Sequence, residues 1–140
     1  MGRSATDSDD GDDWEVTPNL PSTVDEVYRY FEAYERALVA NDVTALDEFF
    51  WRSEDVVRFG ISENLYGSEA IANYRRSVLP GRLSRLRVKT VVATFGTSVA
   101  TVSAEFSEEG GVVSRQSQTW IRLAEGWRIV AAHVSVMAVS

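Results

Sequence analysis

The chain of 140 residues contains no cysteine and a single histidine, His133. Without thiols it cannot form disulfides, use a cysteine nucleophile, or bind zinc and iron–sulfur clusters through cysteine. A single histidine also excludes zinc sites built from two histidines on one helix. These absences predict a protein that is suited to a reducing cytoplasm and that works without a metal or another cofactor.

The chain also lacks an excess of basic charge and a long apolar run. Its net charge is −7, and most of the negative charge lies in the first 15 residues, which leaves the remainder nearly neutral. We therefore expect no nucleic-acid partner. The longest uncharged stretches, Thr90–Ala104 and Ile129–Ser140, are shorter than the roughly 18 apolar residues that a membrane span needs, so no membrane partner is expected.

The composition divides the chain into a tail and one domain. Residues 1–21 are rich in Ser, Asp and Gly and have few apolar side chains. Such a segment cannot bury enough surface to offset the entropy of ordering it, so we expect a disordered acidic tail. The remaining residues, 22–140, suit one globular domain with a single core.

The first half of this domain has helical periodicity. Ser22 and Asp25 resemble a capping box, and Asp42 is placed to cap a second, short helix. A third helix is expected from Gly67-Ser68 to a stop at Pro80-Gly81. The apolar residues of the first helix recur at spacings of three and four: Val24, Val27, Phe31, Tyr34 and Leu38.

The second half has the period of two that is typical of strands. Val56–Gly60 predicts a brief strand, followed by a loop at Ile61–Tyr66. From Leu83 onward apolar residues alternate, and Gly110-Gly111 and Glu125-Gly126 predict hairpin turns. The element order is therefore ααβαββββ. We expect an α+β, cone-shaped domain in which three helices cover the concave side of a curved antiparallel sheet and leave a pocket between the layers.

The convex side of such a sheet would be left uncovered by the helices. An uncovered apolar face needs a partner, so we expect a homodimer through this face. The candidate contact residues are Val99, Trp120 and Val134.

The last strand carries a pattern that resembles the NTF2-like superfamily. In Gly126–Ser135 the residues follow W-x-I-x-x-x-H-x-S, with His133 as the histidine. The resemblance implies an NTF2-like fold, which includes SnoaL-like proteins. Because this fold supports isomerases, dehydratases, cyclases and non-catalytic domains, function has to come from the site.

A narrower resemblance, over roughly residues 22–140, is to the AtzH-like family. It is carried by the segments Phe31–Glu35 (F-E-A-Y-E), Leu46–Trp51 (L-D-E-F-F-W), Arg58–Gly60 (R-F-G), Glu63–Gly67 (E-N-L-Y-G) and Arg115–Trp120 (R-Q-S-Q-T-W). Members of the family lie beside amidase genes in cyanuric acid and oxalurate catabolism, and its namesake is described as a 1,3-dicarboxyurea amidohydrolase. The resemblance implies a catalytic tyrosine and arginine, which match Tyr34 and Arg58 here.

Tyr34 and Arg58 each have a structural interpretation as well as a catalytic one. Tyr34 lies in the apolar stripe of the first helix and could be a core aromatic. Arg58 stands among apolar strand residues, so it must face a pocket or pair with a carboxylate such as Glu35 or Glu63. If both face the pocket, a nearby guanidinium favours the phenolate of Tyr34, which would act as base or nucleophile. Arg58 would then bind a substrate carboxylate through two hydrogen bonds or stabilise an oxyanion.

Five further residues are candidates for substrate binding. Glu63 and Asn64 precede Tyr66-Gly67 in a loop at the expected pocket mouth. Gln118 and Arg115 lie on opposite faces of the strand 114–122, and the alternation does not decide which face is inward. His133 is the last candidate.

Three functions remain open from the sequence. The leading hypothesis is a metal-free, cofactor-free amidohydrolase acting on a carboxylated urea or related amide. The second is a non-catalytic binding or accessory subunit of an amidase partner. The third is isomerase or dehydratase chemistry in the same cone, with Asp47 or Asp55 as the general base.

Overall fold

The computed structural model describes residues 15–78 and 85–137. In these ranges a 3-10 turn at Glu109–Gly111 lies between the second and third of four long strands. The helices and strands, in chain order, are α1 Pro21–Ala40, α2 Val43–Glu48, β1 Val57–Phe59, β2 Asn64–Tyr66, α3 Ser68–Ser77, β3 Arg85–Phe95, β4 Val99–Glu108, β5 Val113–Leu123 and β6 Gly126–Met137.

Helix α1 begins two residues earlier than a capping box with Ser22 as its N-cap would place it. Pro21 occupies the first turn, where its fixed φ suits a helix, and Leu20 precedes it without a side-chain cap. The predicted pairing of Ser22 with Asp25 therefore does not start the helix. Asn41 ends it in the left-handed conformation (φ 54°). Of the predicted stripe, Val27, Phe31 and Tyr34 are buried, while Val24 and Leu38 are half-buried. Thr23 and Ala37, which the pattern did not include, are also buried.

Two shorter helices complete the helical layer. Asp42 caps α2 as predicted, because its side chain accepts a hydrogen bond from the Ala45 N–H at 3.2 Å. Helix α3 follows Gly67 and ends at Ser77, while the predicted stop at Pro80-Gly81 lies outside the described residues. None of the helices in the described part of the chain is long and apolar enough to cross a membrane.

The six strands form one sheet in the order β2-β1-β6-β5-β4-β3. Strands β3 to β6 make the predicted antiparallel meander, and β1 joins it by parallel pairing with β6. The predicted order omitted β2, because Asn64–Tyr66 was expected to be loop. Its three residues pair with β1 but are too few to show an alternation in the sequence.

The chain contacts the sheet before the first helix begins. The Asn19 N–H donates to the Thr94 carbonyl at 2.8 Å, and the Gly96 N–H donates to the Thr17 carbonyl at 2.9 Å. The structure describes residues 15–21 of the expected tail of residues 1–21. This part includes a segment hydrogen-bonded to the β3–β4 hairpin, and Pro21 at its end is the first residue of α1. A disordered tail stays a prediction for residues 1–14, which lie outside the described ranges.

The helices pack on one face of the curved sheet, which we call the inner face. Two residues expected on the convex side lie on the inner side instead. Trp120 is fully buried and contacts Tyr34 edge to face, and Val134 lines the cavity between the layers. Alternation alone cannot tell which face of a strand is covered, and the indole gains most from burial under the helices.

The outer face of the sheet nevertheless carries exposed apolar side chains along edge strand β3. Leu86, Val91 and Phe95 remain 71%, 48% and 42% exposed. A row of this kind on a sheet face is typical of a protein contact.

We expect a homodimer through this outer face, and Val91→Glu should reduce its mass to that of a monomer. A charge at the contact would have to be desolvated without a partner. Val39→Glu is the control, because Val39 is also an exposed valine but lies on α1. Sedimentation at micromolar concentration measures the mass, and a monomeric wild-type protein would contradict the prediction.

Candidate functional site

A cavity of about 290 Å³ lies between the helices and the inner face of the sheet. Its apolar wall includes Leu38, Leu46, Leu65, Ile71 and Val134. Its polar wall consists mainly of Tyr34, Arg58, Tyr74, Arg75, Arg85 and Gln116. Tyr34 and Arg58 therefore line one cavity, as the sequence predicted, and three arginines share it.

Arg58 reaches the cavity from the centre of β1. In register it lies between Leu65 of β2 and Ala132 of β6. Its Nη1 donates to Glu63 Oε2 at 3.1 Å, and both side chains are mostly buried. Of the two carboxylate partners considered for Arg58, Glu63 is the one observed.

Glu63 holds this guanidinium from the turn after β1. Its other oxygen accepts hydrogen bonds from the Ser62 N–H and hydroxyl, at 3.3 and 3.2 Å. Burial raises the pKa of Glu63, but the hydrogen bonds from Ser62 and Arg58 outweigh it and hold the pKa below its ordinary value. A Cβ at Gly60 would overlap the Glu63 carboxylate, so any larger residue there would displace this carboxylate from its position beside Arg58. Glu63 thus fixes Arg58 instead of lining the cavity.

The other two arginines are held in the same way. Arg75 of α3 donates to Asp47 Oδ1 at 2.7 Å, and Arg85 of β3 donates to Glu35 Oε1 at 3.0 Å. The Arg85 guanidinium also stacks on Phe106, 3.6 Å from the ring centroid. None of these carboxylates is among the residues that line the cavity. The described lining therefore presents guanidinium groups, with their counter-charges behind them.

Tyr34 is buried, and its ring packs edge to face on Phe49, Phe50 and Trp120. Burial raises the pKa of Tyr34 above its ordinary value, although Arg58 and Arg75 act in the opposite direction. Arg58 thus favours the phenolate, as expected, but desolvation of the charged form outweighs this effect. Tyr34 enters the cavity as a neutral hydrogen-bond donor.

The orientation of β5, which the sequence left open, is decided by its buried residues. Gln116, Gln118 and Trp120 lie on the inner face, and Gln116 donates to Glu35 at 3.4 Å. Arg115 is on the opposite face and exposed, so its proposed place in the pocket is wrong.

Asn64 and His133 are also outside the cavity. Asn64 is exposed at the start of β2. His133 lies on the outer face, because its neighbours Ala132 and Val134 face inward. There its ring packs edge to face on Phe59, with the ring centroids 5.8 Å apart. Their predicted roles in substrate binding are not supported by this arrangement.

Several cavity residues were not predicted from the sequence to be site residues. Tyr74 and Arg75 lie on the same helical face as Ile71, at spacings of three and four, so the periodicity of α3 could have found them. Arg85 stands where β3 begins, and no local pattern separates it from the neighbouring arginines. In residues 15–78 and 85–137, no three His, Cys, Asp or Glu side chains lie close enough together to hold a metal ion.

Comparison with known families agrees with the motifs that surround this cavity. The sequence profile of the AtzH-like family matches residues 16–140. The chain belongs to the AtzH-like family. This AtzH-like protein is 47% identical to a cystatin-like fold protein from Burkholderia xenovorans, with a TM-score of 0.85 over 89% of this chain and 99% of that one. A protein of unknown function from Pectobacterium atrosepticum is 45% identical, with a TM-score of 0.84 over 86% and 95% of the two chains.

More distant structures establish the fold class of this AtzH-like protein. An NTF2-like protein of unknown function from Pseudomonas putida is 15% identical, with a TM-score of 0.72 over 83% of this chain and 87% of that one. Ketosteroid isomerase-like and dehydratase-like proteins share the fold. No curated protein matches the chain.

The Glu63–Arg58 pair predicts a pH-dependent contribution to stability. Because the pKa of Glu63 is lowered on folding, this contribution is present above the ordinary value of 4.5 and is lost as the pH falls through the folded-state pKa. The melting temperature of the wild type should therefore exceed that of Glu63→Gln near neutral pH, and this difference should become smaller in acid. Thermal melts from neutral to acid pH measure it, with Glu125→Gln as a control for net charge. A difference that stays constant with pH would contradict the assignment.

Proposed function

We propose that the cavity binds a small carboxylated amide of the urea type and that the protein hydrolyses it, with Tyr34 and Arg58 at the reacting group. The observation that carries the proposal is the set of donors: three arginines and a protonated, buried tyrosine face one small cavity. Its volume lies at the low end of the range for ligand pockets, about 300–1,000 Å³, which favours a ligand of few atoms.

Among the cations near Tyr34, Arg58 lowers the pKa of the phenol most strongly. A guanidinium matches a carboxylate with two parallel hydrogen bonds, so Arg58 suits the carboxylate next to the reacting carbonyl. Tyr34, being neutral, would donate its O–H to the carbonyl oxygen, which gains negative charge as water adds. The C–N bond then breaks, and the amine takes a proton that originates from the water. Arg75 and Arg85 add positive charge to the same cavity.

The family resemblance supports the same pair from a separate direction. In AtzH-like proteins a tyrosine and an arginine are the proposed catalytic residues, and the matching Tyr34 and Arg58 lie in one cavity here. The family's association with amidases favours substrates that carry amide bonds.

Isomerase or dehydratase chemistry fits the described cavity less well. It needs a general base, and the two aspartates considered for that role are badly placed. Asp47 gives one oxygen to Arg75 and the other to Arg76, each at 2.7 Å, and Asp55 is exposed. Since no carboxylate is among the described lining residues, hydrolysis assisted by donors is the better-supported reaction.

The purified protein should release ammonia or carbon dioxide from at least one member of a panel of carboxylated ureas. The corresponding ureas without a carboxylate should not react, because they leave the arginines without an anion. Product release is measured for the protein alone and after addition of an amidase. Activity only with the amidase would contradict an independent hydrolase and support the accessory role.

Tyr34→Phe should leave binding largely intact and lower kcat by about 100-fold or more, the scale expected for the loss of one positioned proton donor. Tyr28→Phe is the matched control, because Tyr28 is also on α1 but its hydroxyl bonds to the Thr90 carbonyl away from the cavity. A normal kcat for Tyr34→Phe would show that Tyr34 is only a core aromatic.

Arg58→Lys should weaken both binding and turnover, because an ammonium keeps the charge but loses the planar fork. The control is Arg122→Lys, which changes a half-exposed arginine near Glu26. Thermal melts of all four variants separate misfolding from loss of function. Unchanged binding by Arg58→Lys would exclude a bidentate carboxylate contact.

A further inference from the structure

Gln116 places an amide in the wall of the cavity. It lies on the inner face of β5, lines the cavity and is 6% exposed. Its Nε2 donates to Glu35 Oε2 at 3.4 Å, and the other oxygen of Glu35 accepts from Arg85 Nη2 at 3.0 Å. Gln116 therefore connects an ion pair at the edge of the cavity to the space inside it.

The carboxylate of Glu35 decides which way this amide faces. A carboxylate that is paired with a guanidinium accepts hydrogen bonds and has no proton to donate. The NH₂ group of Gln116 must therefore face Glu35, and the carbonyl oxygen Oε1 must face away from it. The ion pair with Arg85 holds the carboxylate in this position. The orientation of the amide is thus set by the charges beside it.

The oxygen of Gln116 is not used by the surrounding protein, since no described residue donates a hydrogen bond to it. Its partners across the neighbouring strands are Ala104 of β4 and Val134 of β6, whose side chains are apolar. Its polar neighbours on the same face of β5 are Ser114 and Gln118, and neither Ser114 Oγ nor Gln118 Nε2 makes a hydrogen bond within the described part of the chain. Gln116 Oε1 is not itself among the fully buried polar atoms that lack a partner. It is therefore open to the cavity.

This oxygen is an acceptor in a lining that consists mainly of donors. Three of the lining residues are arginines, and a guanidinium can only donate. Apart from the oxygens of the two phenols, the other side-chain acceptor in the described lining is the amide of Asn41, which is exposed at the end of α1. Gln116 thus supplies the buried amide acceptor.

We propose that Gln116 determines the specificity of the cavity for ligands that carry an N–H group, because its Oε1 accepts a hydrogen bond from that group. The proposal rests on the proposed function, since it concerns the same carboxylated amide. The arginines and Tyr34 recognise the oxygens of such a ligand and leave its nitrogen without an acceptor. An N–H that is buried without an acceptor is costly, so a cavity that binds amides has to provide one.

The positions of Arg58 and Gln116 suit a small ligand with its carboxylate at one end and its nitrogen at the other. Arg58 of β1 pairs with Ala132 of β6, and Gln116 of β5 pairs with Val134, two residues further along β6. Two strand spacings and two residues along the strand put the two backbones about 12 Å apart. Both side chains are long and face the inner side of a curved sheet, so their ends converge on the cavity. A ligand held at its carboxylate by Arg58 therefore directs its N–H toward Gln116.

Oxamate and pyruvate are a matched pair of probes for this contact. Each has a carboxylate beside a carbonyl group, but oxamate carries NH₂ where pyruvate carries a methyl group. Wild type should bind oxamate about tenfold or more tightly than pyruvate, because only oxamate offers an N–H to Oε1. Calorimetric titration at neutral pH measures both affinities. Their ratio cancels any effect on the carboxylate, which both probes share.

Gln116→Met removes the amide and keeps an unbranched side chain of similar length. The variant should bind oxamate about tenfold more weakly than wild type and pyruvate about as well, so that the ratio falls toward one. Gln118→Met is the matched control, because it makes the same change two residues along the same face of β5, at a residue that is not among those lining the cavity. It should keep the wild-type ratio. Loss of the ratio in both variants would assign the effect to core packing and overturn the inference.

The outcomes separate this inference from the function on which it rests. Equal affinities of wild type for the two probes, or a preference for oxamate that persists in Gln116→Met, overturn the inference while the proposed function stands. If Gln116→Met does not fold, Gln116→Leu takes its place in the same comparison. If wild type hydrolyses a carboxylated urea but binds neither probe, an unchanged KM for that urea in Gln116→Met overturns the inference. If wild type binds neither probe and hydrolyses no carboxylated urea, the proposed function fails and this inference fails with it.

Discussion

A guanidinium cannot be placed in an apolar cavity without a carboxylate to compensate it, and this constraint organises the site. Three arginines enter the cavity, and a different carboxylate holds each one. The pair of Arg75 with Asp47 ties α3 to α2, and the pair of Arg85 with Glu35 ties β3 to α1. Breaking such a pair by removing one partner leaves an uncompensated charge, which costs about 3–5 kcal/mol when fully buried. The charges that prepare the cavity for an anion therefore also fix the helices over the sheet.

The same low polarity that makes these pairs necessary decides the protonation state of Tyr34. Two of the arginines favour its phenolate most strongly, yet burial disfavours the charged form more, and the pKa rises. The described polar lining thus consists largely of donors, from guanidinium groups, phenol and amide. Such a surface is complementary to a ligand rich in oxygen acceptors. It also suits a reaction in which negative charge develops on an oxygen, because the donors are oriented before the charge appears.

The sequence was informative wherever a pattern repeats over many residues. The spacing of Val27, Phe31 and Tyr34 predicted the buried face of α1, and the alternation after Leu83 predicted the long strands. The pairing of Tyr34 with Arg58 in one cavity came from the family motifs rather than from periodicity.

What the sequence could not supply depends on contacts between distant elements. Alternation gives two faces for β5 but not which one the helices cover, so the inward direction of Gln118 and the outward direction of Arg115 needed the structure. His133 faces outward for the same reason. The sequence indicated that an arginine would lie near Tyr34 and favour its phenolate. It did not indicate how deeply Tyr34 is buried, and burial raises its pKa by more than the arginines lower it.

The parallel pairing of β1 with β6 has a consequence for the order in which the site is built. Arg58 is translated before β6, which is one of its two neighbouring strands and follows four further elements along the chain, α3, β3, β4 and β5. Domains generally fold as units during synthesis, and long-range pairings must await both strands. The segment that carries Tyr34 and Arg58 can form its helices during translation, but the cavity is completed only when β6 has also been released. A nascent chain that has not yet released β6 would therefore carry the reactive residues without the anion site that they require.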